Sequence, residues 1–174
     1  DELGMVIRPD CADLPYFLRA YFAFKLGLPF GYATCTRPAR DAPRCPAWWN
    51  IQNPEPVPPP PEPKIASAAA PGQSVPVAGP EPKPLGLAAS FGRYVATVGG
   101  TVHSASARTW ATDDKTDYYP VSLSQDTLRP GTIYADPYGH ILILVKRVAQ
   151  SGGDAGVFLA VDGQPDGTVA RKRF

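Results

Sequence analysis

Apolar positions recur at helical spacing through Leu14, Phe17, Leu18, Tyr21, Phe22 and Leu26, leaving Arg19 and Lys25 for the wet side. This predicts an amphipathic helix ending near Gly27. Pro15 lacks the N–H that would bond back to the carbonyl of Cys11, so regular helix is expected from Asp13 or Leu14. Cys11 then falls in the first irregular turn. Residues 28–53 read as loop with aromatic anchors, including Trp48 and Trp49. From Phe91 onward the chain reads as β-structure: Arg93 to Val98, a turn at Gly99-Gly100, Thr101 to Ser104, then Thr132 to Tyr134, His140 to Val145 and Gly156 to Val161, with a turn-rich stretch from Asp162 to Gly167. One helix followed by several turn-linked strands predicts an α+β fold, with an antiparallel sheet packed on the helix.

Composition changes this picture in one place. Between Pro54 and Pro84 proline dominates, Ala, Ser and Gly fill in, and almost no large apolar residue occurs. Such a stretch buries too little surface to fold alone and reads as a polyproline-like or disordered surface excursion from a single domain spanning 1–174. A docking ligand for a partner protein is the competing reading. With 174 residues and 44% hydrophobic content the chain is large enough for a genuine core, and a formal charge of +1 gives no basic footprint for nucleic acid. The closing Arg171-Lys172-Arg173 reads as a solvated basic end. No apolar run is long enough for a transmembrane segment.

Three cysteines allow one disulfide and leave one thiol over. Cys35 and Cys45 flank a Pro-rich polar loop that closes easily; if they pair, Cys11 is the free thiol and the compartment is oxidising, periplasmic or extracellular. Unpaired loop cysteines in a cytoplasmic protein are the alternative. A thiol at a helix start has its thiolate favoured by the helix dipole, and Gly139-His140, opening the most apolar strand, supplies an imidazole to act as base. His103, the only other histidine, has no acidic or thiol partner at useful spacing and reads as structural. A zinc site from Cys11, His103 and His140 lacks a close ligand pair, so no metal or other cofactor is expected. Phosphate-binding Gly-rich motifs and the Gly-x-Ser-x-Gly elbow are absent.

Asp10-Cys11 at the head of a helix, Gly27-Leu28-Pro29 after it, the turn Leu128-Arg-Pro-Gly131 and then Gly139-His140 at a strand start resemble, in that order, the NlpC-type papain-like cysteine peptidases and amidases, which include bacterial cell-wall endopeptidases and CHAP domains. The resemblance covers the chain up to Pro29 and from Leu128 onward; the Pro-rich middle has no counterpart. Thr132 stands where the family usually has Asp, and Ala12-Asp13 replace the Ser-Gly that commonly follows the nucleophile. A carboxylate at Asp13 is expected to oppose ionisation of the thiol.

The resemblance implies a papain-like fold with Cys11 as nucleophile, His140 as base and a polar residue on the next strand to orient the imidazole: Asp162, or alternatively Gln164. Tyr134, Asp136 and Tyr138, just ahead of His140, are candidates to line a substrate cleft. It implies hydrolysis of amide bonds through a thioester, with peptidoglycan stem peptides as substrate. The rival readings are a non-catalytic binding or assembly domain on the same scaffold and an acyltransferase of the same superfamily.

Overall fold

The computed structural model describes residues 2–37, 41–56, 85–152 and 156–174. The reading of 54–84 as a Pro-rich excursion, or as a docking ligand, lies outside the described residues from 57 onward. Within them the architecture is α+β, with two helices, a two-stranded antiparallel hairpin and a four-stranded antiparallel sheet.

Helix α1 runs Asp13–Leu26 and is closed by Gly27 in the left-handed conformation, φ 64°, from which the amide bonds back to the carbonyl of Ala23. A left-handed C-terminal residue is where glycine costs least, and it stops the helix where the apolar spacing predicted. Helix α2 runs Leu87–Thr101. This corrects the expectation of strands at 93–98 and 101–104 and of a turn at Gly99-Gly100. Tyr94, Val95, Thr97 and Val98 favour strand intrinsically, but Phe91, Val95 and Val98 lie four and three residues apart and form one buried stripe. Packing of that stripe outweighs the local preference.

The two helices are antiparallel. Phe24 stacks on Phe91 with ring centroids 4.5 Å apart, while at the other end a Cβ on Gly99 would stand 3.1 Å from Phe17 and 3.2 Å from the Asp13 carboxylate. Gly99 thus serves close helix approach rather than a turn. Phe17, Ala20, Phe91 and Val95 form one buried cluster between the helices, and Tyr16, Tyr32 and Val98 form a second that reaches the hairpin.

The hairpin corrects the loop reading of 28–53. Strand β1, Gly31–Thr34, pairs with β2, Ala47–Asn50, and the Cys35–Cys45 disulfide closes the connection just beyond the paired residues. Trp48 lies across Gly31 so closely that a Cβ there would be 2.0 Å from the indole. Both carboxylates at its rim are engaged: Glu55 accepts from the hydroxyls of Tyr32, Thr34 and Thr101, and Asp117 accepts from the Tyr16 hydroxyl at 2.8 Å and the Ala33 amide at 2.7 Å.

The larger sheet is a meander of β3 (Ile133–Ala135), β4 (Ile141–Val148), β5 (Val157–Gly163) and β6 (Val169–Arg173). Ile141 to Leu144 are buried without interruption, so the start of β4 is covered on both faces, as its continuous apolar run requires. The register places Asp162 of β5 opposite Leu142 of β4 and Ala170 of β6, inside the sheet rather than in the turn that follows. Arg171, Lys172 and Arg173, expected as a solvated basic end, are exposed on the edge strand β6. Charge on an edge strand discourages pairing with other chains.

Candidate active site

The site forms where the head of α1 meets the ends of β4 and β5. Asp10 caps the helix: its Oδ1 accepts the amides of Ala12 at 2.7 Å and Asp13 at 3.0 Å, and its own amide points back to the Asp13 carboxylate at 3.4 Å. This reciprocal arrangement is a capping box built from two aspartates. The Leu14 amide bonds to the Asp10 carbonyl, so Cys11 occupies the first turn, ahead of the regular helix as Pro15 predicted.

Gly163, at the end of β5, is what lets that turn dock. A Cβ there would be 2.1 Å from the Asp10 carbonyl oxygen and 3.2 Å from the Cys11 amide nitrogen. No side chain fits between the strand and the Cys11 turn. In the sequence Gly163 looked like an ordinary turn residue, and nothing local distinguishes it.

His140 enters from the turn between β3 and β4. Asp136 holds that turn through Oδ1, which accepts the amides of Tyr138 at 2.8 Å and His140 at 3.0 Å, while the Asp136 amide bonds to the His140 carbonyl. Desolvation, the largest single influence, raises the Asp136 pKa, but the amides of His140, Tyr138 and Gly139 together outweigh it and leave the carboxyl below its ordinary value. The Cys11 thiol lies 3.5 Å from the Gly139 carbonyl, to which it donates. Nucleophile candidate and imidazole are thereby brought to one turn.

Nδ1 of His140 is 3.1 Å from Oδ2 of Asp162, whose side chain is 1% exposed against 39% for the histidine. The approach is close but oblique, and neither Nδ1 nor Asp162 Oδ1 has an aligned hydrogen-bond partner among the described residues. With Nδ1 turned toward the carboxylate, Nε2 is the ring nitrogen that does not face it. The two candidates for the third position have separate places. Asp162 faces the imidazole, and Gln164 donates from Nε2 to Asp162 Oδ2 at 2.7 Å, one step further out.

The electrostatics differ from the expectation of a dipole-stabilised thiolate. Burial pushes the Cys11 thiol up, the carboxylates of Asp10 and Asp162 add to the rise, and the amides of Cys11 and Ala12 offset it only in part. Burial and the two carboxylates thus favour the neutral thiol over the thiolate. Asp13, expected to be the opposing charge, is not among the causes. It turns toward Gly99 of α2, and burial followed by the proximity of Asp10 raises its own pKa to about 6.

The proposed cleft residues divide. Asp136 shapes the turn through its hydrogen bonds; Tyr138 is 93% exposed beside it; Tyr134 is half exposed and packs against Phe174 with centroids 6.0 Å apart. His103, read as structural, bonds through Nε2 to the Cys35 carbonyl at 2.8 Å. No group of three or more His, Cys, Asp or Glu placed to hold a metal occurs among the described residues, and no helix among them is long and apolar enough to cross a membrane. A scan against family models, a search of curated proteins and a search of solved structures each return no match.

Proposed function

We propose that this protein is a cysteine hydrolase of papain-like type that cleaves amide bonds, with Cys11 as nucleophile, His140 as base and Asp162 as orienter. The observation that carries the reading is a buried carboxylate, 1% exposed, set 3.1 Å from the imidazole of a histidine whose preceding carbonyl receives the only free thiol among the described residues. Helix head, strand start and following strand supply the three groups in the order the NlpC-type resemblance implies.

Because burial and the neighbouring carboxylates favour the neutral thiol, proton transfer accompanies attack instead of preceding it. Nε2 takes the thiol proton as sulfur bonds to the carbonyl carbon, the imidazolium is stabilised by Asp162, and the C–N bond breaks as the leaving amine takes that proton. Water, deprotonated by the same imidazole, then hydrolyses the thioester and restores the thiol. In this mechanism the Cys11 amide at the helix head helps hold the oxyanion. From the resemblance the substrate is a bacterial cell-wall peptide, and the Cys35–Cys45 disulfide points the same way, to a compartment outside the cytoplasm.

Incubation with purified peptidoglycan and mass analysis of the released fragments tests this. New amine and carboxyl termini should appear with the wild-type protein and be absent with Cys11→Ala. Fragments released equally by both would overturn the assignment. The raised thiol favours one rival, a non-catalytic binding domain on the same scaffold: this rival predicts retention on peptidoglycan by both proteins with no fragments from either.

A further inference from the structure

We propose that Arg108 is a positioning residue for His140 and the Cys11 thiol, tying the turn that carries them to the helix-and-hairpin half of the molecule. The inference rests on the catalytic reading above. The turn between β3 and β4 is held from inside by the Asp136 carboxylate, and a second group holds the Asp136 carbonyl. That group is Arg108. One guanidinium nitrogen, Nη2, donates to the Asp136 carbonyl, and the other, Nη1, donates to the Ser104 carbonyl at 3.0 Å.

The same Asp136 carbonyl accepts the Gly139 amide, and the Gly139 carbonyl accepts the Cys11 thiol. Three successive hydrogen bonds therefore link the guanidinium to the sulfur. On its other side the short 3-10 turn Ser104–Ala107 follows His103, whose imidazole bonds to the Cys35 carbonyl at the disulfide. Arg108 itself is half-buried, and its planar two-pronged donor spans two carbonyls in a way a lysine ammonium does not reproduce. A charged donor to a partly buried carbonyl is among the stronger hydrogen bonds. Its loss frees the Asp136 peptide to rotate and takes Gly139 and His140 with it.

The test is the pH profile of Cys11 alkylation by iodoacetamide, measured on the whole protein for wild type, Arg108→Ala, Arg108→Lys and His140→Ala, with folding checked by circular dichroism. Wild type should show an imidazole-dependent shoulder below the thiol's own titration. Arg108→Ala should reduce the rate on that shoulder by about tenfold, and Arg108→Lys should recover only part of it. If Arg108→Ala matches wild type while His140→Ala loses the shoulder, the positioning role is wrong and the catalytic reading stands. If wild type and His140→Ala have the same profile, it is the catalytic reading that fails. Should Arg108→Ala not fold, Arg108→Lys decides alone, and a profile identical to wild type overturns the proposal.

Discussion

The hairpin rim and the β4–β5 end each hold carboxylates away from bulk water, and they treat them differently. Glu55 collects three hydroxyl donors, and one oxygen of Asp117 takes a hydroxyl and an amide. Asp162 is more deeply buried, yet takes one neutral donor from Gln164, leaves Oδ1 without an aligned partner, and has its remaining contact with an ionisable ring. A buried acceptor left short of donors is destabilising, and native structures keep such places mainly where chemistry requires them. Glu55 and Asp117 fasten the helices to the hairpin; in the mechanism we propose, Asp162 is held ready for a charge that appears on His140.

Substitutions should separate the two regions. The largest effect is expected at the reacting pair: Cys11→Ala or His140→Ala should lower peptide release by about 10³-fold or more while the thermal midpoint moves by only a few degrees. Asp162→Asn should follow, cutting turnover by about 10²-fold or more with little loss of stability, because an amide cannot balance the imidazolium. Turnover unchanged in Asp162→Asn would erase the distinction between the two regions.

Stability should respond in the opposite order. Gly163→Ala has to displace either β5 or the Asp10–Cys11 turn, a cost of about 1–3 kcal/mol by denaturant titration with activity lost alongside. Glu55→Gln should cost about 1 kcal/mol and leave turnover intact. If Glu55→Gln removes activity without changing stability, the hairpin carboxylate is not structural.

The smallest expected effect is a pH slope. Asp13 has a folded pKa of about 6, raised by burial and then by Asp10, above the unfolded carboxyl value of about 3.9. The folded state holds the proton more tightly, so stability falls as pH rises from about 4 to about 6 and is level above that. Half of the group is solvent-screened, which limits the effect to the order of 1 kcal/mol. Asp13→Asn should flatten the slope in chemical denaturation series across that range.

Much of this arrangement was legible in the chain because it rests on local rules. Pro15 and Gly27 bounded α1, the apolar run after His140 gave β4, and cysteine parity left Cys11 free once Cys35 and Cys45 paired. The α2 segment misread as strand shows where local rules stop: β-branched and aromatic residues concealed a helical stripe that only its partner helix makes decisive. The same limit explains Gly163 and the thiol. A Gly whose role is to admit another backbone carries no local mark, and the dipole argument for Cys11 omitted Asp10, its neighbour in sequence, and Asp162, which folding brings near it. Gln164 as donor to Asp162, instead of substitute for it, likewise depends on β5 extending through Gly163.

The most direct test of the site is the rate of Cys11 carboxamidomethylation against pH in the oxidised protein, where the Cys35–Cys45 disulfide leaves one thiol to label. Coupling between thiol and imidazole predicts a two-step profile in wild type that collapses in His140→Ala to a single titration above the ordinary thiol range. Identical single-step profiles in the two proteins would show a cysteine uncoupled from the imidazole and would contradict the catalytic assignment.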